Sequence, residues 1–316
     1  MTGAAPAARP LVTALINTYN YGRFLPLAID SVLAQTYPDI EIVVVDDGST
    51  DDTPEVLARY GDRLRAIRTE NGGQAHAFNT GFAAAGGELL MLLDADDLWL
   101  PTKVERMVAL AAARPEAALL YHQFVNVEAN GASQELPLPG ALIDGDFSAA
   151  FRRYAGSYEH TVTSTMVLRR AHALRLAPLP TYPHREGADS VVADCSLLLG
   201  PVASIPEVLA QRRLHGSNWY AAGREGPERS RAVYAADARR VEWRFLSVRR
   251  ILERLGRGFD VRLEDNDWWL LNRYAVGDAT ELAMMRVYLR RRDWPLSKRV
   301  GAIRGARALR ARLAAE

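Results

Sequence analysis

Apolar and polar positions alternate in two rhythms along the first hundred residues. Leu11–Thr18 (LVTALINT) is a short apolar run bounded by polar residues, the mark of a buried strand. After it Phe24, Leu25, Ala28, Ile29, Val32 and Leu33 recur at helical spacing until Pro38 ends the pattern. The cycle repeats: Ile40–Asp47 (IEIVVVDD) predicts a second strand, and Thr53 with Pro54 opens a helix in the preferred cap and first-turn positions. Leu64–Glu70 predicts a third, weaker strand, GGQAHAFNTGFAAAGG a small-residue helix bounded by glycines, and ELLMLLDAD a fourth strand. Such alternation predicts right-handed crossovers and a mostly parallel, doubly wound sheet covered on both faces.

The pattern weakens further on. A helix is predicted from Pro101 to about Arg114 and a strand from Leu119 to Phe124. From Glu225 onward the spacing is helical, first in RAVYAADARRVEWRFLSVRRILERL, then in DNDWWLLNRYAVGDATELAMMRVYLRRR. The pair Trp268 and Trp269 could contact a sugar acceptor, but it reads first as core, since aromatic residues on a helix are mostly buried. Near the end, Arg299, Arg307 and Arg310 interrupt Val300, Ile303, Leu309 and Leu313 on the helical wheel, so a solvated basic face is expected there.

Composition narrows the class. A chain of 316 residues with 48% hydrophobic content can build a large core, and a net charge of +1 argues against a protein made mainly to coat nucleic acid. The single cysteine, Cys195, excludes an internal disulfide and a Cys-clustered zinc site. No apolar run approaches membrane-spanning length and the first residues lack a signal-peptide pattern, so the expectation is a cytoplasmic protein without a membrane span.

Chemistry gathers where the strands end. NTYN (17–20), DDGSTD (46–51), ENGG (70–73) and DADD (94–97) follow the four strands, and ligands of open α/β sheets bind beyond those carboxyl ends. Neither a G-x-G-x-x-G after the first strand nor a phosphate-binding G-x-x-x-x-G-K-[ST] is present. The strand LLMLL instead ends in three carboxylates within four positions. At separations near 5 Å and an effective dielectric near 20, each like-charged pair costs roughly 3 kcal/mol. Mg²⁺ or Mn²⁺, held by one or two carboxylates and the phosphate oxygens of a substrate, supplies the missing charge; zinc would ask for His and Cys that these loops lack.

The run NTYNYGRFLPLAIDSVLAQTYPDIEIVVVDDGSTDDT, followed by NGGQAHAFNTGFAAAGGELLMLLDADD, resembles the inverting family 2 glycosyltransferases of GT-A fold. The resemblance covers Leu11 to Lys103 and implies a Rossmann-like GT-A domain over residues 1–222, its donor half at about 11–103 and its acceptor half at about 104–222. A mainly helical C-terminal region over 223–316 completes the expected layout. It implies that Asn17, Thr18, Tyr19 and Asp47 receive the nucleoside, with Asp47 accepting from the base, and that Asn71 and Gly72 join the donor site. Asp94 is implied on the ribose side and Asp96 on the metal, with Asp97 as an alternative ligand.

Two later segments extend the likeness. TVTSTMVLRRAHA (161–173) resembles the strand that leads into an Arg-Arg-Ala helix start beside the acceptor. EGADSVVADCSLLLGPVASIPEVLAQRRLHGSN resembles the segment with an acidic pair, a helix, a Gly-led strand and a closing Arg-x-His. Counted back from Gly200, Asp189 falls at the catalytic base and His215 at the histidine that closes over diphosphate and metal. The usual Glu-Asp pair reads Ala188-Asp189, with Glu186 and Asp194 nearby, and Asp is also a favoured helix cap.

The implied activity is hexosyl-type transfer from a nucleoside-diphosphate sugar, a UDP-sugar first among donors, to a hydroxyl of a carbohydrate, lipid-linked, peptide or small-molecule acceptor. Homo-oligomerisation is left open and no nucleic acid partner is expected. Two alternatives stand beside it. One is a non-catalytic nucleotide-sugar-binding protein on the same fold. The other is a haloacid dehalogenase-type phosphatase, which fits less well because its Asp-x-Asp follows the first strand and Leu98 stands where a Thr is expected.

Overall fold

The computed structural model describes residues 9–128, 133, 136–156, 158, 161–181, 185–216, 230–292 and 294–314. The chain forms two compact units, one of residues 1–146 with 160–213, the other of 147–159 with 214–316. The boundary expected at 222/223 lies outside the described residues.

In the first unit the predicted alternation is present. Strand β1 (Val12–Thr18) leads to α1 (Leu25–Leu33), β2 (Ile40–Asp46) to α2 (Thr53–Ala58), β3 (Arg65–Arg68) to α3 (Gln74–Ala84), and β4 (Leu89–Asp94) follows. A two-residue strand β5 (Leu98–Trp99), α4 (Lys103–Ala113) and β6 (Leu119–Glu128) come next. Helix α5 (Ser148–Tyr154) belongs to the second unit. The chain then returns to the first through a 3₁₀ turn (Thr163–Thr165), β7 (Val167–Arg169), α6 (Arg170–Leu176), α7 (Ala188–Leu199) and β8 (Val202–Leu214).

One eight-stranded sheet results, in the order β3-β2-β1-β4-β7-β6-β8-β5. The β1–β2, β1–β4 and β2–β3 pairs are parallel, whereas β7 runs antiparallel to both β4 and β6, and β8 to β5. The sheet is therefore mixed and mostly parallel, and the chain reverses strand order at β1 and β4. Strands β1, β2 and β4 read as unbroken apolar runs because helices cover both faces. Val12, Ala14, Ile16, Val44, Met91 and Leu93 pack on one side with Ala28, Ile29 and Val32 of α1. At about 25 cal/mol per Å² of buried apolar area, that packing dominates the stability of the sheet.

The second unit carries α8 (Arg231–Arg254), α9 (Asp267–Ala275), α10 (Glu281–Arg290) and α11 (Leu296–Ala314). Where the spacing predicts one helix across DNDWW…LRRR there are two. Asp278 and Gly277, at φ +92°, fall between α9 and α10, and Thr280 caps α10 by accepting from the Ala283 amide at 3.3 Å. Of the tryptophan pair, Trp269 packs partly buried against the α9–α11 core and donates Nε1–H to Glu242 at 3.0 Å, but Trp268 is exposed, contrary to expectation. The arginine-rich end is a helix with Ile303, Ala306 and Leu313 inward. Among the described residues no helix is long and apolar enough to cross a membrane.

Candidate active site

Parallel strands that end at one level set their last residues side by side. In register, Asn17 of β1 stands opposite Asp94 of β4 and Val45 of β2, and Thr18 opposite Asp46. The Asn17 amide and the Thr18 hydroxyl are buried and make no hydrogen bond. An orphaned buried polar group costs about 1–3 kcal/mol, so these two are polar groups held at the crevice without an internal use. Tyr19, next in the chain, is exposed.

The loops after β1 and β2 brace each other. Asn20 adopts φ +58°, a conformation Asn tolerates better than most residues. Its Oδ1 accepts from the Thr50 amide at 2.7 Å, and its own N–H donates to Ser49 Oγ at 2.8 Å. Asp46 Oδ1 accepts from the Ser49 amide at 2.8 Å. Asp51 accepts from Gly22 N–H and from both Thr53 N–H and Oγ1. Burial pushes the Asp51 carboxyl up, but these hydrogen bonds outweigh it and hold it below the usual carboxylate range. The DDGSTD carboxylates at 46 and 51 thus shape the loop.

Asp47 is also engaged from within. Its Oδ1 accepts from the Gly72 amide at 2.9 Å and its Oδ2 from the Gly73 amide at 2.7 Å, with His76 Nδ1 at 3.4 Å. It fastens the Asn71–Gly73 loop to the end of β2. That loop in turn meets the segment before α7. Gln74 N–H donates to the Arg185 carbonyl at 2.7 Å, Gln74 Oε1 accepts from Ala188 N–H at 2.9 Å, and the Arg185 guanidinium donates to Asn71 Oδ1. Gly73 has φ +86°, and a Cβ there would sit 2.6 Å from the Arg185 backbone, so only glycine fits on two counts.

The acidic cluster stands at the end of β4. Asp97 is buried; Ser164 Oγ donates to its Oδ2 at 2.6 Å and the Arg213 amide to its Oδ1 at 2.9 Å. Ser164 Oγ also accepts from the Asp94 amide at 3.1 Å, and its carbonyl accepts from Trp99 Nε1 at 3.1 Å and Lys103 Nζ at 2.5 Å. Thr163 Oγ1 donates to Asp189 Oδ2 at 3.3 Å and lies close enough to Asp94 to oppose the rise of its carboxyl. The 3₁₀ turn of Thr163–Thr165 thereby ties Asp94 and Asp97 to Asp189 on the first turn of α7.

Electrostatics match that crowding. Burial, then Asp97, Asp96 and Asp189, push the Asp94 carboxyl well up. Burial and Asp96 push Asp97 up to about 8, opposed by its bonds to Ser164 and Arg213. Burial, then Asp96, Asp94 and Asp97, also push the Tyr21 phenol up. A buried lysine lies behind the cluster: Lys103 is fully buried, 3.9 Å from the Trp99 ring centroid, and burial lowers its ammonium against the pull of Asp97. Beside it His122 is buried, with Nδ1 2.7 Å from the Gln123 carbonyl, and its charged form is disfavoured by burial and by Lys103.

Among the described residues no group of three or more His, Cys, Asp or Glu could hold a metal ion alone. A cluster of mutually raised carboxylates with few closing ligands suits a hard divalent ion that completes its shell with substrate oxygens, and does not suit a protein-enclosed zinc. Both Asp97 oxygens accept protein hydrogen bonds, and the half-buried Asp96 accepts at its backbone carbonyl from Arg213 Nε at 3.2 Å. His215 follows β8 by one residue and is buried; it belongs to the second unit.

Of the residues singled out by sequence, the structure brings together Asn17, Thr18, Asp94, Asp96, Asp97 and Asp189 at the carboxyl ends of β1 and β4, and Asp47 with Asn71 and Gly72 at the end of β2. Sequence reasoning missed Thr163, Ser164 and Lys103. Hydroxyl residues in a TVTST run carry no periodic or charge signal, and a lysine at a helix start reads as solvated; only the fold turns them inward.

Solved structures share this architecture. The Staphylococcus aureus TarS fragment 1–349, solved with UDP-GlcNAc, superposes with a TM-score of 0.56 at 19% identity, over 95% of this chain and 88% of that one. The mannosyltransferase PcManGT of Pyrobaculum calidifontis, solved with GDP-Man and Mn²⁺, gives 0.56 at 21% identity, over 99% and 88%. Fold and family match together define a glycosyltransferase of GT-A type. Residues 13–174 match the family model described as Glycosyl transferase family 2. An uncharacterized glycosyltransferase of Nostoc sp. is 32% identical over 259 residues, 81% of this chain and 80% of that protein. The chain belongs to glycosyl transferase family 2.

Proposed function

We propose that the protein transfers the sugar of a nucleoside-diphosphate sugar to an acceptor hydroxyl in one displacement with inversion, with Asp189 as base and Asp96 as ligand of a Mg²⁺ or Mn²⁺ ion on the diphosphate. The observation that carries this reading is the Thr163–Ser164 turn, which gathers Asp189 and the acidic end of β4 around one crevice. Two groups with separate tasks are what the chemistry needs: a carboxylate to take the acceptor proton, and charge stabilisation of the departing diphosphate. When bound, the divalent ion neutralises the leaving group.

The chain's own residues do the rest. Asp189 sits in the first turn of α7, and its Oδ1 accepts from the Ser190 amide at 2.7 Å. The cap of that helix is Gly187, so Asp189 is not committed to capping. Asn17 and Thr18 offer their unpaired groups to the nucleoside, and Tyr19 an exposed ring. Asp47 acts on the base and through the Asn71–Gly73 loop, while Asp97 holds the β4 loop and leaves the metal to Asp96. We assign donor binding to about 11–103, acceptor recognition to about 104–222 and His215 to the diphosphate side. UDP-sugars lead the donor list because TarS was solved with UDP-GlcNAc, although the GDP-Man of PcManGT keeps guanosine donors in the panel.

The test is a panel of UDP-, GDP- and dTDP-sugars with and without Mn²⁺, read by thermal shift and by diphosphonucleoside release. A donor that stabilises the protein only with metal and is slowly hydrolysed supports the reading. Binding without any release over long incubation would instead indicate a nucleotide-sugar sensor.

A further inference from the structure

The second unit has a face that the transfer reaction does not use. On α10, Leu282, Arg286 and Leu289 recur at i, i+4 and i+7, opposite the buried Met284, Val287 and Tyr288. Leu282 is 58% exposed and Leu289 45%. Arg299 Nη1 donates to the Leu289 carbonyl at 3.1 Å, which sets the first turn of α11 beside the last turn of α10. That first turn carries Leu296, 61% exposed, and Lys298, whose ammonium lies 4.3 Å from the Trp294 ring centroid. Single exposed leucines are ordinary, but two along one face of α10 and a third in the first turn of α11, beside the last turn of α10, form with the interleaved cations a patch. Arg286, Arg292 and Lys298 are exposed and enter no ion pair among the described residues.

Charge sets this patch in context. Residues 214–316 hold 22 Arg and Lys against 13 Asp and Glu, whereas residues 1–213 hold 17 against 25. A net charge of +1 conceals a chain that is acidic in its sugar-transfer part and strongly basic in its helical part.

We propose that the Leu282–Leu289–Leu296 face docks on an anionic lipid bilayer surface. Such an interface uses both components: leucines enter the headgroup–acyl boundary while arginine and lysine stems snorkel toward lipid phosphates. A soluble polyanion would use the cations and leave the leucines in water. A second copy of the chain joined through the same face would bring arginines against arginines. Each basic side chain brought to an anionic surface strengthens partitioning about fivefold, so three of them raise it roughly a hundredfold over neutral lipid. The proposal rests on the second unit alone and does not depend on the assignment of donor, metal or base.

Vesicle flotation of the full chain tests it. The expected result is capture by phosphatidylcholine vesicles containing about 30 mol% phosphatidylglycerol, little capture by phosphatidylcholine alone, and loss of capture as salt rises from about 0.1 to about 0.5 M. The double variants Leu282→Ser with Leu289→Ser, and Arg286→Glu with Lys298→Glu, should each cut capture at least tenfold. Both should keep the wild-type melting temperature and helical circular dichroism, because the altered side chains point outward. The proposal is overturned by no capture by anionic vesicles, by equal capture by neutral ones, by capture by anionic vesicles that neither variant reduces, or by heparin binding that displaces the protein from vesicles and is unaffected by the leucine changes. A concentration-dependent dimer abolished by the leucine variants would overturn it in favour of self-association.

Discussion

At the scale of single residues, the mechanism turns on Asp189. If it deprotonates the acceptor, Asp189→Asn keeps size and one oxygen, which still accepts from the Ser190 amide, while its NH2 can donate to Thr163 Oγ1, so fold and donor binding should persist. Transfer should fall by about a hundredfold or more, the usual scale of a lost general base. The acid limb of the rate–pH profile should vanish in the residual activity. A variant that transfers at the wild-type rate moves the base to Glu186 or Asp194. Product stereochemistry is the independent check, since a single displacement on an α-linked donor must give a β-linked product. Asp47 calls for a double readout. Asp47→Ala strips the acceptors from the buried Gly73 amide and the half-buried Gly72 amide, which should cost roughly 2 kcal/mol of stability. Because the contacts it supports serve bound substrate and transition state alike, KM for donor should rise far more than kcat falls. Equal losses in kcat and kcat/KM would contradict that role.

At the scale of elements, the joint between the Asn71–Gly73 loop and the Arg185–Ala188 segment is the connection most exposed to test. Gly73→Ala forces a side chain into a left-handed conformation and against the Arg185 backbone. It should destabilise the protein by about 2 kcal/mol and, by displacing the start of α7, slow transfer, while Gly61→Ala, at positive φ but with open space around it, costs only the backbone strain of about 1 kcal/mol. Melting curves of the two variants with transfer rates at saturating donor separate these effects.

The elements also show what a sequence can and cannot carry. Strands β1, β2 and β4 and helices α1, α3, α4 and α8 were legible because each buries an apolar run or stripe long enough to fix its period. Their polar ends followed, so Asn17, Asp94 and Asp96 could be named without a fold. The antiparallel half was less legible. Strand β7 is three residues long and β5 two, too short for any periodicity, and both exist because neighbouring strands offer free backbone edges. The split of α9 from α10 hangs on the single Gly277. Thr163, Ser164 and Lys103 acquire meaning only when distant segments meet, as Ser164 and Asp97 do across 67 positions.

At the scale of the whole molecule, the acidic cluster couples global stability to pH, and the sign can be fixed. A carboxyl raised to about 8 in the folded state, against about 4 when unfolded, favours folding while it is protonated and ceases to do so as pH rises between those values. Asp94 acts in the same direction. Lys103 and His122, whose charged forms burial disfavours, act oppositely and stabilise as pH rises, so the bare pH profile of the wild type mixes both. A difference measurement isolates the carboxylates. Asp96→Ala removes a neighbour that repels Asp97 and Asp94 only when they are ionised. The variant should therefore gain little over wild type near pH 5 and gain most near pH 8, by roughly 1–3 kcal/mol. Mn²⁺ with donor supplies the same relief by another route, so the wild type should be stabilised more at pH 8 than at pH 6, and Asp96→Ala should lose that response. The measurement is thermal unfolding of both proteins across pH 5–8, with and without Mn²⁺ and nucleotide sugar. A variant whose advantage is constant with pH, or whose Mn²⁺ response equals that of the wild type, would show that Asp96 neither repels its neighbours nor holds the metal.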